Sequence, residues 1–134
     1  MDINDFKNLK KVLIIRFHRV GDVALVIPAA RSLKKTYPHL SISILVDSRV
    51  YNLIEKDDTF DEVIPWDKRH WRNLPKLKAI FEIFKAILYL RKKKFDIVLD
   101  FQDFLETAIL SFLIGAKNRM GYSDGLKSIF YSIK

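Results

Sequence analysis

Cysteine is absent from the 134 residues of this chain, which excludes a disulfide framework and any thiolate metal site. The three histidines, His18, His39 and His70, are too scattered to suggest a metal cluster, and no metal is expected. Glycine is scarce: Gly21, Gly115, Gly121 and Gly125 are the only four. Neither a G-x-G-x-x-G fingerprint nor a Walker A loop can be built from them, so the dinucleotide-binding and P-loop classes fall away. The G-x-S-x-G elbow of the usual esterases is missing too. A phosphorelay receiver needs an acidic pair after its first strand, and that place holds Phe17-His18-Arg19. Long apolar runs are also lacking. The two best candidates, residues 79–90 and 108–114, fall well short of the ~20 residues of a spanning helix, and Glu82 and Lys85 interrupt the first. The opening Met1-Asp2-Ile3-Asn4-Asp5 has no basic-then-apolar signal pattern.

What is present describes one globular domain. Hydrophobic residues make up 49% and charged residues 30%, a balance that can build a core. The net charge of +8 is concentrated: residues 68–94 hold ten basic residues against one acidic, Glu82, a local +9. A positive field of that kind attracts an anionic partner, whether phosphorylated glycolipid, acidic membrane surface or nucleic acid. The plainer reading of the same residues is a solvated helix face.

Apolar runs alternate with apolar-periodic segments along the chain. Val12-Leu13-Ile14-Ile15, residues 42–46, residues 62–65, Ile97-Val98-Leu99 and residues 118–122 read as five strands. Between them, helices are expected over residues 23–37, 50–56, 75–93 and 104–113, the last with Asp103 and Glu106 spaced as a capping box. In the third of these, Leu77, Ile80, Phe81, Phe84, Ile87 and Leu88 mark the apolar face. Continuously apolar strands between helices predict an α/β fold: a parallel sheet of about five strands in the order 3-2-1-4-5, covered on both faces.

Residues 11–38, KVLIIRFHRVGDVALVIPAARSLKKTYP, carry the chemistry. The first strand ends in a polar loop, Gly21-Asp22 follows, and a helix opens. Open α/β sheets gather ligands at the carboxyl ends of their strands, so Asp22 stands where a carboxylate can act as a general base. Gly21 would let a substrate approach the backbone closely. The competing reading makes Asp22 only the N-cap of the helix.

This opening resembles that of the ADP-heptose–lipopolysaccharide heptosyltransferases of glycosyltransferase family 9. The resemblance continues in order through Asp61-Glu62-Val63-Ile64-Pro65, the basic loop Arg69-His70-Trp71-Arg72, and Phe95-Asp96-Ile97-Val98-Leu99-Asp100-Phe101-Gln102. It ends with Gly115-Ala116-Lys117-Asn118-Arg119-Met120-Gly121-Tyr122, so that residues 11–131 are covered. It implies a Rossmann-like domain, the acceptor-side N-terminal half of a GT-B fold, occupying residues 1–134. The donor-binding C-terminal half has no counterpart in this chain.

The resemblance further implies inverting transfer of heptose from ADP-heptose to the lipopolysaccharide inner core, on a Kdo–lipid A acceptor, without a metal or other cofactor. Asp22 is then the catalytic base. Arg69 and Arg72 bind anionic groups of the acceptor through their guanidinium forks, and Gln102 and Arg19 join them as acceptor contacts. For Trp71 the residues leave two roles, stacking on a sugar or anchoring its loop, and anchoring is the one expected. The expected location is cytoplasmic, peripheral at the inner face of the cytoplasmic membrane, on an anionic membrane surface, and nucleic acid is not the expected partner. The family's Gln-Gly-x-x-Lys-Ser becomes Gln102-Asp103-Phe104-Leu105-Glu106-Thr107 here, which reverses a charge beside the acceptor cleft. The alternative function is a non-catalytic basic module that binds nucleic acid or an acidic membrane surface.

Overall fold

A computed structural model of the chain describes residues 7–17, 20–102 and 105–121, with only the backbone of Val20 and Asp22. Its elements run β1 (Lys11–Ile15), α1 (Val20–Thr36), β2 (Ser41–Asp47), α2 (Ser48–Ile54), β3 (Glu62–Trp66), α3 (Lys68–Arg72), α4 (Lys76–Lys92), β4 (Ile97–Asp100), α5 (Leu105–Ile114) and β5 (Asn118–Met120). The five strands form one parallel sheet in the order β3-β2-β1-β4-β5, as the apolar runs predicted.

Side chains alternate across each strand, so each strand feeds two cores. Val12, Ile14, Ile42, Ile44, Val46, Ile97 and Leu99 pack under Val23, Val26 and Ala30 of α1 and Val50 and Ile54 of α2. Leu13, Ile15, Leu45, Ile64 and Val98 face Leu90 of α4 and Leu110 and Ile114 of α5. Residues 12–15 are at most 2% exposed, and full burial of such side chains is worth about 1.5–3 kcal/mol each. Burial on both faces is why the strands read as unbroken apolar runs.

Three local expectations are corrected. Helix α1 starts at Val20 rather than residue 23, so Gly21-Asp22 lies inside its first turn, and Pro28 falls mid-helix. Pro28 cannot donate to the Ala24 carbonyl, but both residues are exposed and water can serve that oxygen. The basic loop 69–72 is the short helix α3, because Asp67 caps it by accepting from the His70 amide. The core-facing side of α4 is only partly the one the periodicity selected: Ile87 packs against the core as expected, beside Ile83, Ala86 and Leu90, but Leu77, Ile80, Phe81, Phe84 and Leu88 are exposed. Asp103 of the expected capping box and Tyr122 of the fifth strand lie outside the described residues.

Helix α5 ends at Gly115, whose φ of 81° is the left-handed conformation that glycine adopts without strain. A Cβ there would also come within 3.4 Å of the Arg91 guanidinium.

Candidate functional site

The carboxyl ends of β1, β2, β3 and β4 lie side by side, with Ile15 in register with Leu45 and Asp100, and Asp47 with Trp66. At this edge the exit from β1 is fastened on both sides. The Arg16 amide donates to the Leu45 carbonyl (3.1 Å) and the Phe101 amide to the Ile15 carbonyl (3.1 Å). The Arg16 guanidinium donates to the Phe101 carbonyl.

Gln102 belongs to the same fastening. It is buried, its Oε1 accepts from the Phe17 amide at 2.9 Å, and its own amide donates to Asp100 Oδ1 at 2.9 Å. The residue expected to touch an acceptor therefore holds the β1 exit against the β4 exit. Sequence reasoning missed this pairing because 85 residues separate its partners.

Three described carboxylates stand at or just beyond these strand ends: Asp47, Asp67 and Asp100. Asp47 is buried and caps α2 by accepting from the Arg49 amide (2.9 Å), while its other oxygen takes the Arg49 guanidinium (3.2 Å). That contact holds the Arg49 guanidinium above its ordinary range, chiefly through the hydrogen bond to Asp47. Asp67 caps α3 and accepts from the Ser48 hydroxyl at 3.1 Å. Asp100 accepts from the Gln102 amide. Asp22 occupies the third position of α1, past the point at which an N-cap acts.

Gly21 beside it is exposed, and an added Cβ would meet nothing within 4 Å. Its φ also lies outside the left-handed region, so neither crowding within the chain nor backbone geometry calls for glycine here.

Arg69 and Arg72 are exposed on α3, three residues apart and so on one side of it. An aromatic column holds this helix in place. Phe17 stacks on Trp66 with ring centroids 6.1 Å apart, and Trp71 stands edge-on to Trp66 at 4.7 Å. Trp71 is thus an anchor, as expected, and the column links the exits of β1 and β3 to α3. A spacing rule cannot find contacts between residues as distant as 17 and 66.

A groove of about 400 Å³ runs between α3, α4 and α5. Trp66, Trp71, Ile83 and Leu113 contribute apolar walls, and Lys68, Arg72 and Glu106 are its charged members. Glu106 is the reversed charge noted in the sequence, and Lys68 Nζ donates to its Oε2 at 2.7 Å. Arg72 lines this groove, whereas Arg69 and Gln102 do not. Arg19 lies outside the described residues. Among the described residues, no group of three or more acidic, histidine or cysteine side chains could hold a metal ion.

No family model matches the chain. Among curated proteins it is 27% identical to the lipopolysaccharide core heptosyltransferase OpsX of Haemophilus influenzae over 116 residues, 86% of this chain and 30% of that protein. It is also 27% identical to lipopolysaccharide heptosyltransferase 3 of Escherichia coli, over 77% of this chain and 29% of that protein. Among solved structures, the E. coli heptosyltransferase WaaC with ADP-2-deoxy-2-fluoro heptose superposes on 92% of this chain and 41% of its own, with a TM-score of 0.75 and 25% identity. A family 9 glycosyltransferase from Veillonella parvula gives a TM-score of 0.70 and 27% identity over 84% of this chain and 32% of its own. The resemblance read in the sequence therefore holds in sequence and in fold. The two curated relatives are lipopolysaccharide heptosyltransferases, and this chain spans about 30% of their length.

Proposed function

We propose that this chain is the acceptor-side domain of a heptosyltransferase acting on the lipopolysaccharide inner core, with ADP-heptose as donor and inversion at the anomeric carbon. The observation that carries the reading is the match to heptosyltransferases over most of the chain, with Gly21-Asp22 in the first turn after β1. Asp22 is the general base that takes the proton of the acceptor hydroxyl as that oxygen attacks the anomeric carbon. The ADP leaves from the opposite side, where its charge is met by groups beyond this chain. The capping roles of Asp47 and Asp67 and the hydrogen bond that Asp100 accepts from the Gln102 amide support this assignment, since those three carboxylates already serve the backbone.

Arg69 and Arg72 hold anionic groups of the acceptor, and the aromatic column through Trp66 keeps their helix rigid. Gln102 acts through the backbone: by fixing Phe17 it sets the start of the loop that leads to Asp22. Gly21 leaves room for the acceptor against the helix.

Both substrates must be held together for attack, an arrangement that supplies roughly 7–11 kcal/mol of the barrier. On this reading the 134 residues alone do not turn over and do not bind ADP-heptose. The test is heptose transfer to a Kdo–lipid A acceptor, together with calorimetry of ADP-heptose on the chain. No donor binding is expected from the chain by itself. In a protein that supplies the donor side, Asp22→Asn should abolish transfer while acceptor binding persists. Transfer that survives Asp22→Asn would refute the assigned base, and salt-sensitive RNA binding without any response to core acceptor would refute the function.

A further inference from the structure

Helix α4 presents two apolar stripes, and only one has a partner within the described chain. Ile83, Ala86, Ile87 and Leu90 face the sheet. On the other side Leu77, Phe81, Phe84 and Leu88 recur at intervals of four, three and four residues, which aligns them along one face. They are 83%, 56%, 56% and 38% exposed. Single exposed apolar side chains are ordinary, but a continuous row of them marks a contact surface.

The charge beside the row decides what kind of contact. Lys78, Lys85 and Lys92 repeat every seven residues and follow one edge of the stripe, while Arg91 stands on the other. Lys85 Nζ lies 4.7 Å from the Phe81 ring centroid, so cation and apolar surface are immediate neighbours. Among the described residues no carboxylate pairs with Lys78, Lys85 or Lys92.

We propose that α4 docks on an anionic lipid surface, lying along it with Leu77, Phe81, Phe84 and Leu88 in the acyl boundary and the lysine row among the headgroup phosphates. A second copy of this chain would bring like charges together, since residues 68–94 carry +9. A nucleic acid would satisfy the cations and leave the stripe in water. An anionic bilayer surface answers both, and amphipathic helices bury their apolar face roughly 5–10 Å deep in this way. With 17 residues α4 is about 25 Å long, and among the described residues no helix is long and apolar enough to cross a membrane, so the contact runs along the helix. The inference stands on α4 alone and does not depend on the transfer reaction.

The absence of cysteine allows a single-site probe. The unmodified chain is sedimented with phosphatidylcholine vesicles and with vesicles that also contain phosphatidylglycerol, at low and high salt. An environment-sensitive fluorophore is then attached to Phe84→Cys, and to Lys35→Cys on α1 as a control. Binding only to the anionic vesicles is expected, and salt should weaken it as screening shortens the reach of the lysines. The label at position 84 should shift to the blue and be quenched by nitroxides on the acyl chains, while the label at 35 should not. Reversing all three lysines to Glu should weaken binding by roughly a hundredfold or more, at about fivefold for each charge lost.

Equal binding to neutral and anionic vesicles would overturn the proposal. So would vesicle binding that leaves the position-84 label unquenched, or a dimer that Phe81→Ser with Phe84→Ser dissolves. The vesicle comparison uses the unmodified chain, so it can be read even where a variant fails to fold. It must give the same result on a protein that supplies the donor side, since a stripe covered there by the rest of that protein would also overturn the proposal.

Discussion

Lys68 Nζ and Glu106 Oε2 lie 2.7 Å apart, joining the first residue of α3 to the first turn of α5 across the groove. The charge reversal at position 106 is therefore answered by a partner supplied from another helix. Lys68→Ala, Glu106→Ala and the double variant, compared by urea denaturation, should give a coupling of about 0.3–1 kcal/mol, the range of partly exposed pairs. Glu106→Lys should cost more than Glu106→Ala, because it sets two ammonium groups against each other. Additive single effects would show that the pair does not couple.

Gly21 separates stability from function. An added Cβ meets open space and the residue is in a helix, so Gly21→Ala should raise stability by up to about 1 kcal/mol. If the acceptor approaches the backbone there, the same variant should weaken acceptor binding in the intact enzyme. A variant that is more stable and equally active would remove the glycine from the site.

Asp57 makes folding sensitive to acid. Its carboxyl is held below the ordinary carboxylate range by the Thr59 hydroxyl and then the Thr59 amide, which outweigh the opposing effect of burial, with Arg31 adding the smallest contribution. The amide bond is 2.9 Å and the Arg31 contact 3.7 Å. A depressed folded pKa means stability that is fully present above the unfolded value, about 4, and lost as pH falls through the folded one. Asp57→Asn should therefore lose less stability than the parent between pH 6 and 3, by about 1 kcal/mol at most, since the group is partly solvated. Parallel acid curves for the two proteins would contradict this.

Asp96 ties the start of β1 to β4, its Oδ2 accepting from the amides of Lys10 and Lys11 at 2.9 Å each. Asp96→Ala leaves both donors without that acceptor and should cost about 2 kcal/mol in a denaturant melt. A change under 0.5 kcal/mol would mean that water replaces the carboxylate there.

Much of the fold was legible because its signals are local. Unbroken apolar runs such as Val12-Leu13-Ile14-Ile15 reveal strands buried on both faces, and the helices between them require parallel connections. The start of α1 was not legible: Val20 and Gly21 are poor helix formers, and tertiary packing of Val23 and Val26 overrides them. Asp67 before Lys68 was a capping signal that could have revealed α3.

Helix α4 divides the two sources of information most sharply. Leu77, Phe81, Phe84 and Leu88 have the same spacing as Ala79, Ile83, Ala86 and Leu90, offset by two residues, so periodicity alone offers two candidate faces. The sequence by itself determined the parallel sheet, the helix and its band of positive charge, because these follow from local propensity and composition. Only the tertiary structure decided which stripe meets the sheet, that Gln102 serves Phe17, and that Lys68 answers Glu106. Each of those outcomes depends on which distant segments come within a few ångströms. In α4 the small Ala86 suits a close approach to the sheet, Ala79 lines the groove, and the bulkier Phe81 and Phe84 are left facing outward.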